Sequence, residues 1–213
     1  MLRNKISMAV LLAISLFAMV SSPFTLADTV DNPGDFVITA TSGYIKVGTQ
    51  QFNINPDSPP SIGGSVDTDG IVTIPISGIE FPDTVISVPL IGDITVRMEP
   101  QGDAMGALNP ITGEANFSIS LKVRLINSLL GSNCGIGPIN AIMTTGSSGS
   151  LVGVLYDQSL GTATYVNNEF GVPRSSGCGL FGSIIDSFAR LPSNPPNNEI
   201  LLNVQYDPII TGS

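Results

Sequence analysis

The sequence predicts a mainly β protein, an antiparallel β-sandwich or barrel-like domain with one short amphipathic helix near residues 179–191. Three observations predict it. Residues 114–125 alternate polar and apolar side chains without a fault. Short apolar runs recur between clusters of Gly, Pro, Asn and Ser, in a chain that carries 23 Gly and 16 Pro. One segment, "GLFGSIIDSFARL", instead repeats its apolar residues at helical spacing.

In chain order, the first element is a leader. Arg3 and Lys5 precede an apolar run from Ile6 to Val20, Ser21, Ser22 and Pro23 break it, and Thr25-Leu26-Ala27 sets small residues at a cleavage position. The run, at about fifteen residues, falls short of the roughly twenty needed to span a bilayer. Residues 1–27 therefore read as a bacterial-type signal peptide and 28–213 as a single secreted β-domain starting at Asp28, with no membrane span after signal removal. Asp28, not a cysteine, stands directly after the cleavage site, which argues against a lipoprotein. The expected mature chain keeps six basic residues (Lys46, Arg97, Lys122, Arg124, Arg174, Arg190) against 17 acidic ones, a formal charge of −11. Such a surface makes nucleic acid and anionic lipid poor partners. The aliphatic content is too high for disorder.

The strands follow. Phe36–Ala40, Tyr44–Val47, Gln51–Ile54 and Val85–Val88 are candidates in the first half, Leu151–Tyr156, Thr162–Val166 and Ile200–Tyr206 in the second. In "GGSVDTDGIVTIPIS", Val72, Ile74 and Ile76 are expected to face inward, Gly78 to shift the phase through a bulge, and Ile79 and Phe81 to continue it. Pro75 and Pro89 place these segments at a sheet edge. The segment resembles "GALNPITGEANFSIS", through an old duplication or, more simply, because two hairpins obey the same local rules. Ile94, Val96 and Met98 alternate as well, and Asn109 to Gly113 is turn chemistry, so a hairpin is expected over about residues 93–125. In it Ala115, Phe117, Ile119, Leu121, Val123 and Leu125 face the core, and Glu114, Asn116, Ser118, Ser120, Lys122 and Arg124 face water. A further turn is expected at Asn127–Leu130. In the helical segment Leu180, Phe181, Ile184, Ile185, Phe188 and Leu191 form the apolar face, and Pro192 with "SNPPNN" ends it.

Two cysteines remain, Cys134 and Cys178, each among small turn-forming residues. In an exported protein the pair is expected as a disulfide. Two thiols without histidine make a poor zinc shell, and a catalytic cysteine would lack its base.

The blocks "MGALNPITGEANFSISLKVRLINSLLGSNCGIG", "TTGSSGS" and "NNEFGVPRSSGCGLFGSIIDSFARLPSNPPNNEILLN" resemble, in order, a group of uncharacterised secreted proteins of actinomycete-type bacteria. The resemblance covers about residues 105–203. It implies Gram-positive-type export and the same cysteine pairing, and it carries no catalytic residue.

Elimination narrows the chemistry. The chain has no His, so neither a Ser-His-Asp triad nor a histidine metal site can be built. Lys46 and Lys122 are the only amines for a Ser-Lys device, and no phosphate-binding or dinucleotide motif appears. Asp67 and Asp69 before Gly70 suggest a calcium loop, but Ile74, Ile76 and Gly78 stand where further ligands belong, and a hairpin turn accounts for the same residues. No catalytic residue, metal or cofactor is assigned. The expectation is a non-catalytic extracellular or cell-envelope β-domain that binds a cell-wall or surface component through Glu114, Asn116, Ser118, Ser120, Lys122 and Arg124. The alternative is a secreted carboxylate-dependent glycan hydrolase, for which 17 acids offer many pairings.

Overall fold

The computed structural model describes residues 34–109 and 111–208. The leader, its cleavage site at Asp28 and Pro110 of the expected turn lie outside the described residues. The strands are β1 (Gly34–Val47), β2 (Gln50–Asn53), β3 (Ser61–Val66), β4 (Ile71–Ile74), β5 (Ile79–Glu80), β6 (Thr84–Val88), β7 (Gly92–Pro100), β8 (Ala104–Leu108), β9 (Ala115–Ile126) and β10 (Gly135–Thr144). After them come β11 (Ser147–Ser148), β12 (Leu151–Val152), β13 (Thr162–Asn167), β14 (Ser175–Ser176), the helix α1 (Gly182–Ala189) and β15 (Glu199–Pro208).

Eight antiparallel strands close a barrel in the order β10-β13-β15-β1-β3-β4-β8-β9, and β9 returns to β10. Closure removes every edge from that ring. The two longest strands change partners midway. β1 pairs with β3 over Gly34–Thr39 and with β2 over Tyr44–Val47. β9 pairs with β8 over Ala115–Ser118 and with β7 over Leu121–Ile126. One end of the barrel is therefore a closed ring, whereas the other continues into two flaps, β2 on one side and β7-β6 on the other. Helix α1 packs at the flap end, with Ile185 and Ala189 buried. Thr49 Oγ1 and Gln50 Nε2 both donate to the Phe188 carbonyl and hold the helix against the β1–β2 turn.

The alternation in β9 is realised. Ala115, Phe117, Ile119 and Leu125 are buried, and Leu121 and Val123 pack on the same core. Glu114, Asn116 and Ser118 are exposed, while Ser120, Lys122 and Arg124 are half-buried. Cys134 and Cys178 form a disulfide, and both are buried. It ties the start of β10 to the segment leading into α1, and is compatible with an oxidising, extracellular environment.

Several local expectations change. Residues 95–100 do pair with β9, but the turn at 109–113 closes a different hairpin, β8–β9, because β8 intervenes in sequence. Phe36–Ala40 and Tyr44–Val47 are one strand, bent at an irregularity between Ala40 and Ser42. The Leu151–Tyr156 strand stops at Val152, and the backbone beyond it serves loops. Gly78 ends a 3₁₀ turn over Ile76–Gly78 in place of a bulge; that turn swings Ile76 outward to 46% exposure. β4 lies inside the ring, so Pro75 marks its end and not a sheet edge, whereas Pro89 does follow the edge strand β6. Leu180 is 93% exposed, because Gly179–Phe181 forms a 3₁₀ turn ahead of the α-helix and breaks its phase.

Candidate functional site

The inward face of the barrel is apolar, and its packing leaves hollows along the axis. The one at the closed-ring end is a cavity of about 260 Å³. Phe36 and Ile38 of β1, Val66 of β3, Val72 of β4, Leu108 of β8, and Ala115 and Phe117 of β9 line it. Three of the chain's four tyrosines complete it: Tyr165 from β13, Tyr206 from β15 and Tyr156 from the loop after β12.

Local hydrogen bonding fixes that loop. The Asp157 carboxylate accepts from Ser159 N, Ser159 Oγ and Leu160 N at 2.8, 2.6 and 3.2 Å, so residues 157–161 fold into a tight turn. These bonds, the Ser159 hydroxyl first, hold the Asp157 carboxyl below its ordinary range. The turn is joined to the barrel by Tyr206 N donating to Gly161 O at 2.7 Å and Tyr156 N donating to Gly113 O at 2.8 Å. Gly113 is obligatory at that junction. Its φ is +73°, and a Cβ there would come within 2.4 Å of the Tyr156 carbonyl oxygen.

The tyrosines form an aromatic cluster. Tyr165 meets Phe117 edge-on with centroids 5.2 Å apart, and Tyr206 lies 4.7 Å from Tyr156 and 6.0 Å from Phe36. The hydroxyls of Tyr165 and Tyr206 share a hydrogen bond. Each phenol has a single proton, so one donates to the other, and the second O–H and the unused lone pairs are not consumed within the pair. Burial pushes the Tyr165 phenol up to about 12 and raises Tyr206 well above its usual value. Both stay neutral at physiological pH. They can donate and accept hydrogen bonds but supply no phenolate. Asn116 and Gln158 add exposed amides at the rim.

Of the six residues expected to form a binding face, Asn116 alone lines this hollow. The others stand in file along the outside of β9. Ser118 sits between Met105 of β8 and Ile142 of β10, both 61% exposed. Farther along, Lys122 is opposite Glu99 and Arg124 opposite Arg97. Arg97 grips Asp83 with two bonds of 2.9 and 2.6 Å, and Arg124 donates to Ser132 O at 2.5 Å. The outer face is thus a strip that is mixed polar and apolar at one end and charged at the other.

Asp67 of the "VDTDG" stretch turns its carboxylate inward on its own turn, accepting from Asp69 N at 2.9 Å and Ile71 N at 2.8 Å. Among the described residues no group of three His, Cys, Asp or Glu side chains is placed to hold a metal ion, and no helix is long and apolar enough to cross a membrane. The carboxyls whose surroundings move them clearly, Asp83, Asp157 and Glu199, all move down, Asp83 and Glu199 chiefly through hydrogen bonds from Arg97 and Lys46.

The tyrosine-floored hollow is the feature that sequence reasoning missed. Its signal was present: Tyr165 and Tyr206 occupy strands in inward phase, and a buried phenol must find a polar partner. Comparison with protein-family models, curated proteins and solved structures returns no significant match.

Proposed function

We propose that this chain is an exported, non-catalytic β-barrel domain that works by binding a small guest in the hollow at its closed-ring end. One observation carries the reading: the barrel leaves an apolar cavity of about 260 Å³ with a paired-tyrosine floor and no carboxylate or amine in its lining. Barrels of this strand number suit one small ligand. The leader pattern and the secreted-protein resemblance support export, and the disulfide agrees with it. The outer face of β9, Glu114 through Arg124, is the surface offered to a cell-wall or other envelope component. The hydrolase alternative gains no support, because a general acid needs a carboxyl raised by its surroundings, whereas the clearly moved ones are lowered.

The chain itself supplies the readout. With four Tyr, no Trp and three of the tyrosines in the hollow, its emission reports on that site. Titration with the neutral dye N-phenylnaphthylamine should brighten the dye with one-to-one stoichiometry and alter tyrosine emission in parallel. Val66→Phe, which fills the mouth, should weaken this. Dye binding that is absent or indifferent to Val66→Phe would refute the site. Incubation with isolated cell wall and a glycan panel should give retention without product. Product release abolished by replacing one Asp or Glu would establish a hydrolase instead.

A further inference from the structure

The mouth hollow does not end at its floor. Ile38, Phe117 and Tyr165 line it and also line a second cavity of about 70 Å³ deeper on the axis. That cavity in turn shares Ile45, Val47, Met98, Val123 and Ile139 with a third of about 60 Å³ beneath helix α1. The three hollows therefore lie in a row from the tyrosines to the helix. None of their lining residues is charged, and below the neck the polar groups all but vanish, Gln50 being the one amide in the third cavity's lining.

Resting on the reading of the mouth as a binding site, we infer that the guest is a neutral amphiphile, a slender unbranched alkyl chain bearing a hydroxyl head, such as a long-chain alcohol or a monoacylglycerol. The tail runs along the axis toward α1 and the head meets the Tyr165–Tyr206 pair. Chemistry at each end supports this. The tyrosine pair offers one O–H and free lone pairs, which match a hydroxyl. A carboxylate or phosphate head would lose its hydration without a cation to replace it, since no Lys or Arg lines the mouth. A sugar polymer would find almost no hydrogen-bonding partner below the neck. Size agrees as well: on about 30 Å³ per packed water-sized group, the two deeper cavities hold about four such groups and the mouth about nine. Met98, common to both, is the unbranched side chain best able to yield to a threading tail.

The test uses the secreted chain and displacement of the bound dye by straight-chain alcohols from hexanol to tetradecanol, with dodecanoate as the charged comparison. Affinity should tighten about fourfold per added methylene and level off once the axis is filled. Dodecanoate at neutral pH should bind at least about tenfold more weakly than dodecanol. Ala141→Leu puts extra volume into the axial cavity and should bring the levelling-off to a shorter chain. Near-UV circular dichroism of the tyrosines confirms that this variant is folded, and the wild-type series decides the matter without it. If the dye binds but alcohol affinity is flat with chain length, or dodecanoate binds as tightly as dodecanol, the inference is overturned while the mouth site stands. If the dye itself fails to bind, both fall.

Discussion

Phe117 is 4% exposed and packs on Tyr165, whereas Ser118, next in sequence, faces water between Met105 and Ile142. Phe117→Asp would bury an unpaired charge and should destabilise the fold by several kcal/mol, whereas Ser118→Asp should stay within about 0.5 kcal/mol of the parent. Thermal melting of the two variants checks it, and equal melting would refute the strand's orientation. Asn198 is a stronger case of a residue fixed by its partners. It is fully buried, its Oδ1 accepts from Gly48 N, and its Nδ2 donates to Phe170 O and Ser193 O. Asn198→Ala strands three backbone groups and should cost about 3 kcal/mol, measurable by denaturant unfolding. The two residues differ in how they could be read from sequence. Phe117 was legible because it belongs to an unbroken alternation. Asn198 was not: it sits in "SNPPNNE", which reads as solvated turn, and only the folded chain brings Gly48, Phe170 and Ser193 to it.

Among the elements, the disulfide spans 44 residues and joins β10 to the approach of α1. On the chain-entropy account, closing such a loop stabilises the fold by about 4 kcal/mol. The double variant Cys134→Ala, Cys178→Ala should lose a comparable amount, and non-reducing peptide mapping should recover the cross-linked pair from the parent. The β1–β15 ladder carries a titratable latch. Glu199 accepts from Lys46 Nζ at 2.6 Å and from Tyr44 Oη at 2.9 Å, and these bonds, Lys46's first, hold its carboxyl below the usual 4.5. A carboxyl lowered by folding adds stability above its unfolded pKa and loses it as pH falls through the lower folded value. Glu199→Gln should therefore flatten the acid limb of the stability curve below about pH 4.5, as acid-unfolding curves will show. Elements with clean alternation, β9 above all, were legible. β10 was not, although Ile139, Ala141 and Met143 alternate inward, because Gly137 and Pro138 interrupt its ladder and imitate a loop. β8 escaped notice for lack of bulk: Ala104, Gly106 and Ala107 give almost no hydrophobic contrast, and Gly106 is small because a Cβ would come within 1.9 Å of Asn116 O.

At the scale of the whole molecule, all four tyrosines have raised pKa values; desolvation is the leading cause in each. A phenol that is harder to ionise when folded leaves stability intact below its unfolded pKa and removes it as pH rises toward the folded one. The barrel should accordingly hold to about pH 10 and unfold between 10 and about 12, with phenolate absorbance and loss of β-sheet circular dichroism appearing together. Phenolate absorbance that rises fully near 10 in a still-folded chain would contradict the buried cluster. The mainly β, antiparallel character of the molecule was legible from period-two patterning, yet the choice between sandwich and barrel was not. Closure depends on β9 returning to β10 while β1 and β9 each divide between two partners, and pairing of that range leaves no mark on a local pattern. One register has a mechanical consequence. β1 and β15 are antiparallel neighbours, with Phe36 opposite Pro208 and Ile38 opposite Tyr206. Force applied to those two ends would not shear the ladder but unzip it, rung by rung, and the second side-chain rung to give would carry Tyr206. A pull on those two ends would thus part the tyrosine pair before it disturbed the disulfide or the helix at the far end, while most of the sheet was still intact.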